Sequence, residues 1–462
     1  MRRENEDILN SNVKQIAQIA IPVSLEFIVI LILNFGNQII VGGLGALPIA
    51  AVGFANNLTF VFAVTVSALG TSVGILAARA YGGGRLHELN QVVSIALIFA
   101  ASVTVIAAGF MVLAPYRLLK LTGASDAVAA TGSDYLRFSA LALFGAVLSA
   151  VLSGVFRSVG KPKLPMYATI WTLAINLLLS YALVYGIVLP ELGVAGAGVA
   201  TLVSNSLKAI TLGIQMFITR NITNFELPTF GREWIEVIRP LFVLAIPLGL
   251  TELVWSGGQF AYGVIIQQIS DETLASFNIA NTLEGVFIVA SVGLAVAATV
   301  LVGRAVGSGD VDEATAWVRR IKRTGIYSGL AFGALYAVSS LSLPFLFGNA
   351  GSEVQQLAIG LILFNAVIQV IKVRNMILGT GILTSGSDIR GVIYGDVIGS
   401  LVVGLPLAFL LGLYTPLGIW GIMIARVADE IAKLAVFEYR AKRIDWHKLV
   451  ASQTTTAPIA DQ

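Results

Sequence analysis

The stretch IAIPVSLEFIVILIL, residues 19–33, decides how the chain is read. Only Ser24 and Glu26 interrupt an otherwise apolar run, so it reads as the middle of a membrane helix. A carboxylate in hydrocarbon costs roughly 2.5–3.5 kcal/mol on insertion scales, which marks Glu26 as a candidate functional position. Part of this stretch, AIPVSL at 20–25, returns as AIPLGL at 245–250, an offset of 225. The same offset, without a gap, brings ANNL (55–58) onto ANTL (280–283) and ARAYGGG (78–84) onto GRAVGSG (303–309). It also brings LGVAG (192–196) onto LGIWG (417–421). The chain is a tandem duplication.

Outward from that stretch the composition agrees. The 462 residues are 56% hydrophobic and only 12% charged, too little charge to cover a soluble surface of this size. Apolar segments of about 20 residues, the length that crosses a bilayer, fall near 15–41, 51–78, 91–113, 133–156, 166–189 and 193–219. A second set falls near 240–266, 273–302, 324–347, 354–384, 391–412 and 417–438. An even number of spans per repeat means that both copies enter from the same side, related by an axis along the membrane normal. The expected fold is an all-α membrane protein of twelve transmembrane helices, in two pseudo-symmetric six-helix lobes around a central cleft. The lobes are expected at 1–219 and 240–443, with a cytoplasmic linker at 220–239 and a tail at 444–462.

Lys and Arg set the orientation. Arg117 and Lys120 fall in outer loops, and Arg137, Lys208, Lys372, Arg374, Arg426 and Lys433 fall inside spans. The other basic residues, Arg220 among them, lie on the side of the N-terminus, which places both termini in the cytoplasm. The opening MRRENEDILNSNVKQ lacks the pattern of a removable signal, so the first span is its own insertion signal. A net charge of +3 with no basic face gives no reason to expect a nucleic-acid partner. The chain has no cysteine, and His87 and His447 lie outside the apolar runs, so no metal site is expected. No paired intramembrane Asp, His ligand set or Ser–base arrangement points to an enzyme, and no catalytic residue is named. No G-x-x-x-x-G-K-[ST] loop points to an ATP-driven pump.

The loops carry a family resemblance. GVFRSVGKPKLPM at 154–166 is similar to the G-x-x-R-x-x-G-x-x-x-x-P loop of the multidrug and toxic compound extrusion (MATE) family, with a weaker second copy in GILTSGSD at 381–388. VGGLGALPIAAVG at 41–53 and LVGRAVGSGDVDEA at 301–314 resemble further loops of that family, and the likeness spans all twelve segments. It implies an antiporter that exports amphipathic, often cationic organic compounds in exchange for H⁺ or Na⁺ by rocking of its lobes, with no cofactor beyond the coupling ion. The implied partners are small organic substrates and the lipid bilayer. The expected state is a monomer in a prokaryotic cytoplasmic membrane. The resemblance also implies an ion site in the first lobe, at positions that here read Asn37, Asn176, Ser180 and Thr201; both acids of the family pattern are missing, and neutral oxygens remain. A flippase for lipid-linked saccharides, from the same superfamily, is the alternative. Such proteins carry an excess of buried Arg, whereas the buried charges here balance.

The residues themselves supply further candidates. Glu26 precedes Asn37 by three turns, about 16 Å, on nearly the same helix face; it either titrates or braces a neighbour such as Lys208. In the second repeat Glu252 follows Pro247, the counterpart of Pro22, with Ser256 and Gln259 below it on a polar stripe. Glu284 shares a face with Asn278 and Asn281. Span ten offers Asn365, Gln369, Lys372 and Arg374; span twelve offers Arg426, Asp429, Glu430 and Lys433. Arg426 with Glu430 and Asp429 with Lys433 have the i,i+4 spacing of neutralising pairs. Glu252 and Glu284 have no base within a turn, so Lys372 or Arg374 is the expected partner. The ion-coupling candidates are thus Glu252, Glu284, Glu26, Lys372, Arg374 and Glu430, and the substrate-contact candidates are Trp255, Tyr262 and Gln259.

Overall fold

The computed structural model describes residues 2–219, 222–228, 231–347 and 351–454. Arg220 and the end of the tail, 455–462, therefore lie outside the described residues. The first repeat holds α1 (Arg2–Gly42), α2 (Ala46–Gly82), α3 (Leu86–Leu113), α4 (Asp126–Ser158), α5 (Lys163–Tyr185) and α6 (Val194–Gly213), the last continued by a π-turn at Ile214–Thr219. The second holds α7 (Arg232–Gln267), α8 (Asp271–Gly307), α9 (Val311–Ser339), α10 (Ser352–Met376), α11 (Ile389–Leu413) and α12 (Ile419–Lys442). Within α11, residues Val397–Gly404 are wound as π-helix, and α10 runs on into a π-segment, Ile377–Leu383. There are no strands among the described residues.

Ten of these helices are long and apolar enough to cross a membrane. The exceptions have plain causes. α12 carries four charged residues in its middle, Arg426, Asp429, Glu430 and Lys433, and the apolar run described in α2 is Leu47–Phe60. Helix starts follow from side-chain caps: Ser125 accepts from the Val128 amide, Ser270 from Thr273 and Asp310 from Glu313, each filling an otherwise unpaired donor.

The duplication extends to turn conformation. Gly84 and Gly309, 225 positions apart, both take left-handed φ, +69° and +85°, and close the same C-terminal bonds: Arg85 N to Ala80 O, and Asp310 N to Ala305 O. Gly193 and Gly418 repeat the agreement, with φ of +53° and +54°. Only glycine takes such angles without strain.

The chain divides into two compact units, Leu25–Gly249 and Met1–Ser24 with Leu250–Gln462. These limits differ from the lobe boundaries expected at 219 and 240. The divisions fall inside α1 and α7, two residues after Pro22 and Pro247, because each helix runs unbroken through its proline. In the first unit, the start of α7 packs on α3 through an edge-on Phe99–Phe242 contact, ring centroids 4.5 Å apart. The expected linker is partly docked there: Asn224 N and Glu226 N donate to the side chains of Asn90 and Ser94 on α3. In the second unit, the start of α1 packs on α8, where Ser24 Oγ donates to Ala290 O at 2.7 Å and Gly293 leaves no room for a side chain against Ala20. Gly325, Gly329 and Gly333, spaced by four, let α9 approach α10 at Ile377, Val370 and Ala366; this is the small-residue packing that joins helices in lipid.

Candidate functional site

Glu26, the acid of the opening stretch, is buried in the first unit and doubly paired. Arg157 Nη2 donates to it at 2.7 Å, Lys208 Nζ at 3.3 Å, and Thr169 Oγ1 also reaches it at 3.4 Å. Its bracing by Lys208 agrees with one of the two sequence readings. Arg157 was not foreseen there: it is the arginine of the G-x-x-R loop, and it turns into the lobe, its guanidinium 5.3 Å from the Phe27 ring centroid. One carboxylate thus satisfies two cations, and removing it would strand both.

Farther along α1, Gly36 packs directly on Leu177 of α5, which brings Asn37 beside the turn of Asn176. Asn176 is fully buried; its Nδ2 donates to Ser204 Oγ at 2.9 Å and reaches Thr201 Oγ1 at 3.5 Å. Asn176 Oδ1, Ser180 Oγ and Asn37 Oδ1 have no hydrogen-bond partner among the described residues. Three of the four family-aligned positions therefore present unsatisfied neutral oxygens, while Thr201 Oγ1 is engaged with Ala197 O; such oxygens suit a hard monovalent cation and carry no titratable proton.

The second unit is richer in charge. Glu284 of α8 is buried against Lys372 of α10 in a close ion pair, and Lys372 also donates to Asn365 Oδ1. Lys372 is thus the partner of Glu284, as one of the two expected choices. Arg374 is not: it meets Glu438 at 2.7 Å, which also takes Lys322 at 2.7 Å, because two residues, about 200° of helix rotation, turn Arg374 away from the Lys372 face. On α12 the Asp429–Lys433 pair forms at 3.0 Å, and Tyr262 and Ser400 also donate to Asp429. The other expected pair does not form. Arg426 lies over the rings of Phe277 and Tyr262, 5.0 and 5.6 Å from their centroids, while Glu430 accepts from Asn375 at 2.8 Å.

Glu252 has neither Lys372 nor Arg374 as its partner. Among the described residues it forms no ion pair. The acid within electrostatic reach of it is Asp396 of α11, which the sequence reading passed over although it stands alone in an apolar span. Asp396 lies within electrostatic reach of Glu252, Asp429, Glu430 and Lys433. The heights agree: Gly258 of α7 packs on Ser400 of α11, and counting back along these like-directed spans leaves Glu252 and Asp396 within about 3 Å of one level. The π-turns of α11 begin at the residue after Asp396, a winding that recurs at functional sites. Of the substrate-contact candidates, Trp255 is 43% exposed and Gln259 half-buried, whereas Tyr262 is 1% exposed with its hydroxyl on Asp429. Tyr262 is a packing and hydrogen-bonding residue here. No group of three or more His, Asp or Glu among the described residues could hold a metal ion.

A duplicated, all-helical bundle with carboxylates and cations concentrated inside apolar spans defines a polytopic membrane protein of the carrier type. The chain belongs to the MatE family, whose model matches residues 22–182 and 247–410 and so begins in each repeat at the intrahelical proline. It is 26% identical over 424 residues to the "Probable multidrug resistance protein NorM" of Rhodopseudomonas palustris, covering 89% of this chain and 88% of that one. It is 26% identical over 436 residues to the "Multidrug resistance protein MdtK" of Pectobacterium atrosepticum, covering 90% and 93%. Among solved structures, the outward-facing conformation of a multidrug resistance MATE family transporter superposes with a TM-score of 0.86 at 21% identity, over 96% of this chain and 97% of that one.

Proposed function

We propose that the protein is a multidrug efflux antiporter of the cytoplasmic membrane. It exports amphipathic organic cations in exchange for protons by alternating access, with Glu252 as the coupling carboxylate and Asp396 as its neighbour. The observation that carries this reading is the contrast among the intramembrane acids. Glu26, Glu284 and Asp429 are each held by a fixed cation, and Glu252 is not. An acid without a fixed cation exchanges a proton, or a cationic substrate, without first breaking an ion pair in low dielectric. The names of the relatives support the substrate class.

The unsatisfied oxygens of Asn37, Asn176 and Ser180 favour a second reading, in which Na⁺ is the coupling ion and sits in the first lobe. Uptake of a fluorescent organic cation into proteoliposomes, under an imposed proton gradient and separately a sodium gradient, distinguishes the two. The proton reading expects transport with the proton gradient alone and its loss in Glu252→Gln. Sodium-driven transport that is indifferent to Glu252 and lost in Asn176→Leu would replace it with the second reading.

A further inference from the structure

The offset of 225 places Arg426 at the counterpart of Thr201, and Asp429 at that of Ser204. Where the first lobe offers neutral oxygens, the second offers a guanidinium. Arg426 is 7% exposed and lies over two aromatic faces; it forms no ion pair, Glu430 being within electrostatic reach only, and its Nη1 has no hydrogen-bond partner among the described residues. Gln369 of α10 is fully buried, and neither its Nε2 nor its Oε1 has a partner. The two are at one height: Asn375 bonds Glu430 across α10 and α12, and six residues back on one helix and four on the other, both running the same way, differ by about 3 Å. The other buried cation nearby, Lys372, is taken by Glu284. Donors without acceptors, one of them cationic, in a low-dielectric interior select an acceptor that carries negative charge.

We propose that Gln369 and Arg426 form an anion-recognition site inside the second lobe, for a small monovalent anion. The anion is either a free halide or the carboxylate of a zwitterionic compound, and the first lobe's cation-seeking oxygens are its counterpart of opposite polarity. Arg426 supplies the charge and a charge-assisted hydrogen bond, and the Gln369 amide a neutral one.

The test uses the full chain, purified in lipid nanodiscs, with thermal unfolding as the readout. That readout needs no transport, so its failure is separable from failure of the export reading. A ligand that binds only the folded state raises Tm in a saturable way. Sodium chloride or bromide is compared with sodium isethionate at equal ionic strength, and sodium benzoate serves as the carboxylate probe. A saturable rise of a few degrees with halide, absent in Arg426→Gln and in Gln369→Leu, with bromide located beside Arg426 by anomalous diffraction, supports the free-ion source. A rise with benzoate but not halide, lost in the same variants, supports the carboxylate source. If Arg426→Gln does not fold, Gln369→Leu alone decides, since it removes only a neutral amide. No specific shift with either anion, or shifts of equal size in wild type and Gln369→Leu, overturns the proposal.

Discussion

The two lobes share a scaffold and differ in polarity. At an offset of 225, Asn37, Thr201, Ser204 and Asn205 of the first lobe correspond to Tyr262, Arg426, Asp429 and Glu430 of the second, while Lys208 and Lys433 are retained. Both lysines engage a buried acid, Glu26 in one case and Asp429 in the other, but the acid comes from a different helix each time. Turn geometry survived duplication, in Gly84 with Gly309 and Gly193 with Gly418, because it serves the fold; helix caps and the side chains facing each lobe's interior diverged. The first lobe ended with one acid locked between two cations and, about three helical turns along α1, a neutral oxygen cluster. The second ended with several acids, of which Glu252 has no fixed cation.

That contrast can be broken most forcefully through stability. Glu26→Gln strands Arg157 and Lys208 in the interior and is expected to cost about 3–5 kcal/mol, the range for orphaning a buried charge. Glu252→Gln removes no pair and is expected to lie within about 1 kcal/mol of wild type, as for changes that break no buried interaction. Unfolding in denaturant, monitored by helical circular dichroism, ranks the two; equal losses would erase the distinction between locked and free acids. The Glu284–Lys372 pair sharpens the same point. Lys372→Met alone is expected to cost about 3–5 kcal/mol, and adding Glu284→Leu to recover most of it, because an apolar replacement of a buried pair is often neutral. A double mutant no more stable than the single would mean that Glu284 answers to some other group. The smallest effect belongs to the exposed Arg137–Asp134 pair, 2.8 Å apart, where Arg137→Ala is expected to change stability by less than about 1 kcal/mol.

Much of the fold was legible because duplication and hydropathy are written locally. The prolines, glycine turns and spans could be read directly, and the matched φ of Gly84 with Gly309 and of Gly193 with Gly418 follows from that repeat. Helical periodicity also sufficed for Asp429 with Lys433, whose partners lie on one helix. It failed for Arg426, because i,i+4 spacing says that two side chains can meet, not that they prefer each other to the rings of Phe277 and Tyr262. Pairings across 131 and 88 residues, Glu26 with Arg157 and Glu284 with Lys372, depend on which helices become neighbours. For the second of these the sequence narrowed the choice to two bases, and only packing could pick one. Asp396 had a readable signal, a lone acid in an apolar span, but its relation to Glu252 depends on α7 packing against α11, which no spacing along the chain encodes.

The central claim is that Glu252, an intramembrane carboxylate without a fixed cation, couples transport. It is tested most directly by proton movement itself. Liposomes carrying the protein and an internal pH-sensitive dye, given an organic cation on one side, report the proton counterflow that accompanies its exchange. Wild type is predicted to move protons against substrate, and Glu252→Gln to lose that counterflow by about tenfold or more, equivalent to ~1.4 kcal/mol, while still binding substrate. Undiminished proton counterflow in Glu252→Gln would contradict the account and return the coupling to another of the intramembrane acids.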